Sequence, residues 1–196
     1  MKPLLFLLLL YSLGTGTQNT KAQAQEIPPP AYQIAAAHTE IPATVLYAIA
    51  LQESGRSVNG KHRPWPWTLN ISGQGYYFDT QEAACSRLTT TLKTTSAKRI
   101  DVGLGQINVG YHSHRVEKPC DLLNPYVNLA LAGQILAEQH RPGQDWLITM
   151  GKYHSPANGA AAARYRAAIQ RHYAQLLPQQ PPQRQSSLSK PLVVLK

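Results

Sequence analysis

The chain predicts a mainly α fold of the α+β kind, with one small β-hairpin inserted between helices. Three observations carry this. Apolar residues recur at helical intervals, as in Leu46 and Ile49 or in Val127, Leu131 and Ile135, which marks one face of a helix. One stretch breaks the pattern: between Arg63 and Phe78, aromatic and β-branched residues flank Ser72-Gly-Gln-Gly75, as in a hairpin. With 196 residues the chain supports one principal domain with a substantial core.

The ends are expected to lie outside that domain. Met1-Lys2, an apolar run from Leu4 to Leu13 broken only by Ser12, and Ala22-Gln-Ala24 have the layout of a secretory signal peptide over residues 1–24. The apolar run is about ten residues, against roughly 20 for a bilayer span, so no stable membrane insertion is expected after cleavage. The mature protein is therefore expected to be exported and soluble; the periplasm is its expected location and a monomer its expected state. Ile27-Pro-Pro-Pro30 gives residues 25–30 the character of a stiff extended linker. Residues 178–196 are rich in Pro and Gln and are expected to be a disordered tail.

The helices follow in order. Ala31 to His38 is Ala-rich. Ile41 to Gly55 follows, with Pro42 suited to a first turn and Gly55 to a left-handed residue just past the end. After the hairpin, Asp79 with Glu82 suggests a capping box for a helix reaching about Lys93. Asn124-Pro125 opens a helix from Tyr126 to His140, stopped by Arg141-Pro-Gly143; Trp146–Tyr153 and Ala160–Leu176 are the last two.

A formal charge of +9, from 19 Lys and Arg against 10 Asp and Glu, suits polyanions such as nucleic acid, lipid headgroups or a cell wall. The charges are scattered and form no nucleic-acid motif. Export also argues against DNA, so no nucleic-acid partner is expected. Cys85 and Cys120 are the two cysteines outside any leader. An even pair in an oxidising compartment points to a disulfide; two small buried thiols that never meet are the alternative. They lack C-x-x-C or H-x-x-x-H companions, so no metal or cofactor is expected.

Glu53 is the candidate for chemistry. It stands near the end of its helix, on the face of Leu46 and Ile49. Burial there disfavours the ionised form, and the negative end of the helix dipole acts in the same direction. A carboxylic acid that keeps its proton near neutral pH is a general acid. The alternative is a solvated glutamate at a frayed helix end.

Glu53-Ser-Gly55, then Gly103-Leu-Gly-Gln-Ile-Asn108, then Asn128-Leu129 in a helix, then Lys152-Tyr-His-Ser155 stand in an order that resembles the lytic transglycosylases of the lysozyme-like superfamily, the SLT domain. The likeness spans about residues 31–177. The small members beside secretion, pilus and conjugation systems are most similar, and the Trp65–Phe78 insertion resembles those of integrating conjugative elements. The resemblance implies a lysozyme-like helical bundle around a cleft. It also implies cleavage of the β-1,4 bond between N-acetylmuramic acid and N-acetylglucosamine in peptidoglycan glycan strands, with 1,6-anhydro ring formation. Partners would be the glycan strands and components of a conjugation or type IV secretion apparatus. A lysozyme-type hydrolase and a non-catalytic wall-binding component are the rivals. Two departures stand out: Gly105 where the family has Met, and His154-Ser-Pro156 where it has Asn-Ala-Gly.

The remaining roles follow from position. Gln106 and Asn108, two apart in an extended segment, point to one side and can bind the sugar, although Asn108 can equally serve the loop. Ser54 orients the glycan or caps its helix. Tyr153 is the candidate to hydrogen-bond Glu53, with an ordinary half-buried tyrosine as the alternative in a chain of ten tyrosines. Asp101 is expected to brace the Gly-rich loop; facing Glu53 across a cleft, it would favour the hydrolase. Trp65, Trp67, Tyr76 and Tyr77 are assigned mainly to structure, and His112 and His114 to a polar loop.

Overall fold

The computed structural model describes residues 25–178, so the expected leader and nearly all of the expected tail lie outside the described residues. The domain begins with α1 (Pro30–Thr39) and α2 (Ala43–Ser54). Two hairpins follow, β1 (Gly55–Val58) with β2 (Lys61–Pro64), then β3 (Thr68–Ile71) with β4 (Gln74–Tyr77). After α3 (Gln81–Thr91) come β5 (Ile100–Val102), β6 (Ile107–Asn108) and the single turn α4 (Val109–His112). The chain closes with α5 (Pro125–Gln139), α6 (Trp146–His154) and α7 (Ala160–Leu176). This is a mainly helical α+β fold with a small antiparallel sheet, as the sequence predicts.

α2 is the axis of the domain. Every residue from Val45 to Leu51 is buried, so the helix is apolar all round, as an enclosed core helix must be. It contacts α1, α5, α6, α7 and β2. The expected reading of Gly55 is corrected: its φ of −64° and ψ of 133° are extended, and it begins β1 rather than a left-handed cap. Glycine is needed there for space, because a Cβ would run into the His62 imidazole and the Leu51 carbonyl. His62 Nε2 donates to that carbonyl at 3.0 Å, tying β2 to the end of α2.

The expected hairpin forms around Ser72-Gly73, with φ of 56° and 91°. A second hairpin, absent from the sequence reading, turns on Asn59-Gly60 with φ of 50° and 72°. Asn-Gly is a strong two-residue turn signal because both central residues need positive φ. The larger sheet has the order β4-β3-β5-β6, and Leu69 pairs with Val102. It thereby brings Asp101 and the Gly-rich segment beside the first half of the chain. The cap of α3 is also corrected. Thr80, not Asp79, accepts from the Ala83 N–H.

Residues 25–29 have no regular secondary structure and are tied down. Pro28 is buried and its carbonyl accepts from Gln33 Nε2 at 2.9 Å. Glu26 pairs with Arg63 and accepts from the Tyr47 hydroxyl at 3.0 Å.

Cys85 and Cys120 form the expected disulfide, with Cα atoms 5.3 Å apart, joining α3 to the 3-10 turn Pro119–Leu123. The bridge spans 35 positions, so it restricts the unfolded chain by about 3–4 kcal/mol in the loop-entropy account. A Cys85→Ser/Cys120→Ser variant is expected to lose about 3 kcal/mol in urea unfolding. A loss below about 1 kcal/mol would show that packing of α3 suffices without the bridge.

Candidate active site

The site is built on one loop, residues 103–106, between β5 and β6. Gly103 has φ of 78° and its N–H donates to the Thr68 carbonyl at 2.8 Å. A Cβ on Gly103 would strike the Asn128 side chain and lie 2.8 Å from the Leu122 carbonyl, so glycine is required. Asn128 of α5 is fully buried. Its Nδ2 donates to the carbonyls of Val102 and Leu122, each at 2.8 Å, and its Oδ1 accepts from the Gly105 N–H at 2.7 Å. One amide thus satisfies three backbone groups that would otherwise be buried without partners.

Two more helices grip the same loop. Ser54, buried at the end of α2, shares its hydroxyl proton between the Ala50 carbonyl at 3.0 Å and the Leu104 carbonyl at 2.9 Å. It is a brace rather than a glycan contact. Tyr153 of α6 donates to the Gly105 carbonyl at 2.6 Å. This corrects its expected bond to Glu53. It also explains Gly105, where a Cβ would sit 2.8 Å from the Tyr153 hydroxyl oxygen and 3.0 Å from Ala132 Cβ.

The partner of Glu53 is Tyr165 of α7, whose hydroxyl donates to Oε1 at 2.6 Å. The sequence contains a signal for this residue. Ala162, Tyr165, Ile169 and Leu176 form the buried stripe of α7, and a hydroxyl on an apolar stripe needs a partner. Burial pushes the Glu53 pKa up to about 7; the Tyr165 bond pulls it down and the nearby Asp101 charge pushes it up. By surface area Glu53 is only half-buried, because a cleft opens over it. Protein nevertheless encloses the carboxyl on its other sides, which is why desolvation dominates.

That cleft has a volume of about 700 Å³. Glu53, Asp101, Gln106, Asn108, Tyr153 and His154 line it, with Asn70, Ile107, Tyr111, His112, Ile135 and Pro156 completing the walls. The expected extended geometry at Gln106 is corrected: its φ is 48°, and its Nε2 donates to the Gly103 carbonyl at 2.9 Å. Asn108 is spent on the fold. Its Nδ2 donates to Asp101 Oδ1 at 2.8 Å and to the Lys98 carbonyl at 3.0 Å, and its Oδ1 caps α4 at the Tyr111 N–H. Asp101 therefore braces the loop through Asn108 and also shares the cleft with Glu53. Burial raises its pKa, against the Asn108 bond and the charge of His154, which lower it. Trp65, Trp67, Tyr76 and Tyr77 lie outside these walls. Trp65 Nε1 donates to the Phe78 carbonyl at 2.6 Å, and the Arg56 guanidinium lies over Trp65 and Tyr77 at 4.7 and 5.2 Å.

Comparison of the chain with protein-family models, with curated proteins and with solved structures gave no match.

Two outcomes follow from this geometry. The folded pKa of Glu53 lies above that of an unfolded glutamate, so the folded state holds the proton more tightly. That contribution is complete below about pH 4 and is lost as pH rises through about 7. Discounted for the water that reaches the carboxyl, Glu53→Gln is expected to gain about 2 kcal/mol over the parent at pH 8 and almost nothing at pH 4, read by urea unfolding. An equal gain at both pH values would contradict the buried acid. Asn128→Ala strands three buried backbone groups and is expected to cost about 4 kcal/mol, against about 1 kcal/mol for a solvated asparagine.

Proposed function

We propose that this domain is a peptidoglycan lytic transglycosylase, exported to the periplasm, that opens the wall locally for a conjugation or type IV secretion apparatus. The observation that carries the proposal is Glu53, an acid that keeps its proton to about pH 7 in a cleft of about 700 Å³. A pocket of this size takes a short run of sugar rings. The ordered motifs from Glu53 to Lys152-Tyr153 supply the substrate class by resemblance, and the +9 charge suits an anionic wall.

The steps use one carboxyl group. Tyr165 occupies Oε1, which leaves the other oxygen to carry the proton. Glu53 gives that proton to the glycosidic oxygen between the muramoyl and glucosaminyl residues, and the bond to the anomeric carbon breaks. The resulting carboxylate keeps the Tyr165 donor, a charge-assisted bond that strengthens as charge develops. It then takes the proton of the muramoyl 6-hydroxyl as that oxygen bonds to the anomeric carbon. The 1,6-anhydro ring closes, and Glu53 is again protonated. Neither water nor an enzyme nucleophile enters.

A second reading, hydrolysis, is favoured by one observation: Asp101 lines the same cleft. Two carboxyl groups flanking the bond are the usual equipment of glycoside hydrolases. Against this, Asp101 is engaged with Asn108, an arrangement suited to bracing the loop.

Mass spectrometry of muropeptides released from purified sacculi distinguishes the readings. Anhydro-muramoyl ends are expected; reducing ends would assign the domain to the hydrolases. Glu53→Gln is expected to lower release by a factor of about 10² or more. A variant that releases muropeptides as well as the parent would remove Glu53 as the acid, and a parent that releases none would leave only a binding role.

A further inference from the structure

We propose that His154 is a positioning residue for the acid: its imidazole, stacked on Tyr165, holds the phenol hydroxyl on Glu53. The proposal rests on the reading of Glu53 as the acid, but it does not depend on which glycan bond is cut. The resemblance leaves position 154 without a role, since the family has Asn there.

The geometry is a relay of contacts. The rings of His154 and Tyr165 lie 4.7 Å apart at centroids and 10° from parallel. Tyr165 is 7% exposed, whereas His154 is exposed at the edge of the cleft. The imidazole is therefore a cover over one face of the phenol, between that ring and the cleft opening. Tyr165 in turn reaches Glu53 at 2.6 Å. An asparagine is too small to cover a six-membered ring, whereas an imidazole matches it in shape.

The packing of α6 on α7 holds the stack in place. α6 ends at His154, and the Ser155 N–H closes back onto the Gly151 carbonyl at 3.0 Å. Asn158, with φ of 52°, donates its N–H to the Ser155 carbonyl at 2.9 Å and accepts from Arg166 Nη1 at 2.7 Å. Arg166 is the neighbour of Tyr165, so the loop that carries His154 is clipped to the helix that carries the phenol. Gly151 packs against Arg166, where a Cβ would lie 2.9 Å from its Cγ. The two helices therefore cross closely just below the stack.

Removing the cover frees Tyr165 to turn and lets water compete for its hydroxyl. The titratable groups facing Glu53 are Tyr165 from α7, Tyr153 from α6 and Asp101 from β5. His154 itself faces Asp101. Tyr165 donation favours the ionised form of Glu53, so loss of that bond raises the midpoint of the acid.

The test is a carboxyl 13C NMR titration of Glu53 in the full chain, without substrate. The parent is expected to titrate near 7. Tyr165→Phe and His154→Ala are each expected to raise the midpoint by about one unit. His154→Phe, which keeps a flat ring, is expected to titrate with the parent, and the Tyr165→Phe/His154→Ala pair no higher than Tyr165→Phe alone. A parent-like midpoint in His154→Ala overturns the proposal. So does a shift in His154→Phe equal to that of His154→Ala, which would assign the effect to the imidazole charge. An additive double variant overturns it as well. Because no substrate is present, these results stand apart from the sacculus digestion: midpoints that behave as stated beside inert sacculi would sink the enzymatic reading alone.

Discussion

The amide of Asn128 is the constraint on which the rest depends. It sits at no exposure in α5 and joins backbone groups from β5, from residues 119–123 and from the loop of residues 103–106. Buried backbone groups without partners are costly, so this one side chain decides where the loop can lie. Ser54 and Tyr153 then bind the carbonyls of Leu104 and Gly105 from two other helices. The loop is held from three sides, and it forms the cleft wall beside Glu53. Gly103 and Gly105 belong to this arrangement for steric reasons, since added Cβ atoms would collide with Asn128 and Tyr153.

Glu53 shows the opposite use of burial. α2 encloses apolar residues on all sides, and only its last turn meets the cleft. A carboxyl placed there is desolvated on the protein side and wet on the other, which raises its pKa without sealing it from a ligand. Tyr165 limits the rise. The domain gives up some stability at alkaline pH by keeping this acid.

Much of the fold was legible because helices and turns depend on local order. Asn124-Pro125, Arg141-Pro-Gly143 and the apolar repeats marked the helices at α5 and α6 within a residue or two. Ser72-Gly73 marks one hairpin, and Asn59-Gly60 marks another whose flanking strands carry a weaker signal than the aromatic pattern around the first. Gly55 is ambiguous in sequence because a glycine after a helix admits two explanations, a left-handed cap or a close approach, and only the position of His62 separates them.

For the site, the sequence by itself determined that a glutamate ends an apolar helix, that two cysteines are available to pair, and that a Gly-rich segment precedes a helix carrying an asparagine, since each is written in residue type and spacing. Which side chains meet was decided by tertiary structure alone. Tyr153 and Tyr165 both come from late helices, Tyr153 half-buried in the cleft wall and Tyr165 buried behind it. Their chain positions do not show which one reaches Glu53. The packing of α7 across α2 brings Tyr165 to the carboxyl, while α6 carries Tyr153 to the loop. Likewise, Gln106 and Asn108 both line the cleft, but only the fold shows that the Gln106 nitrogen closes the turn at Gly103 and that the Asn108 amide braces Asp101 and caps α4. A hydrogen-bonding side chain is specified by sequence, but its partner is set by whichever backbone group burial would otherwise leave unpaired.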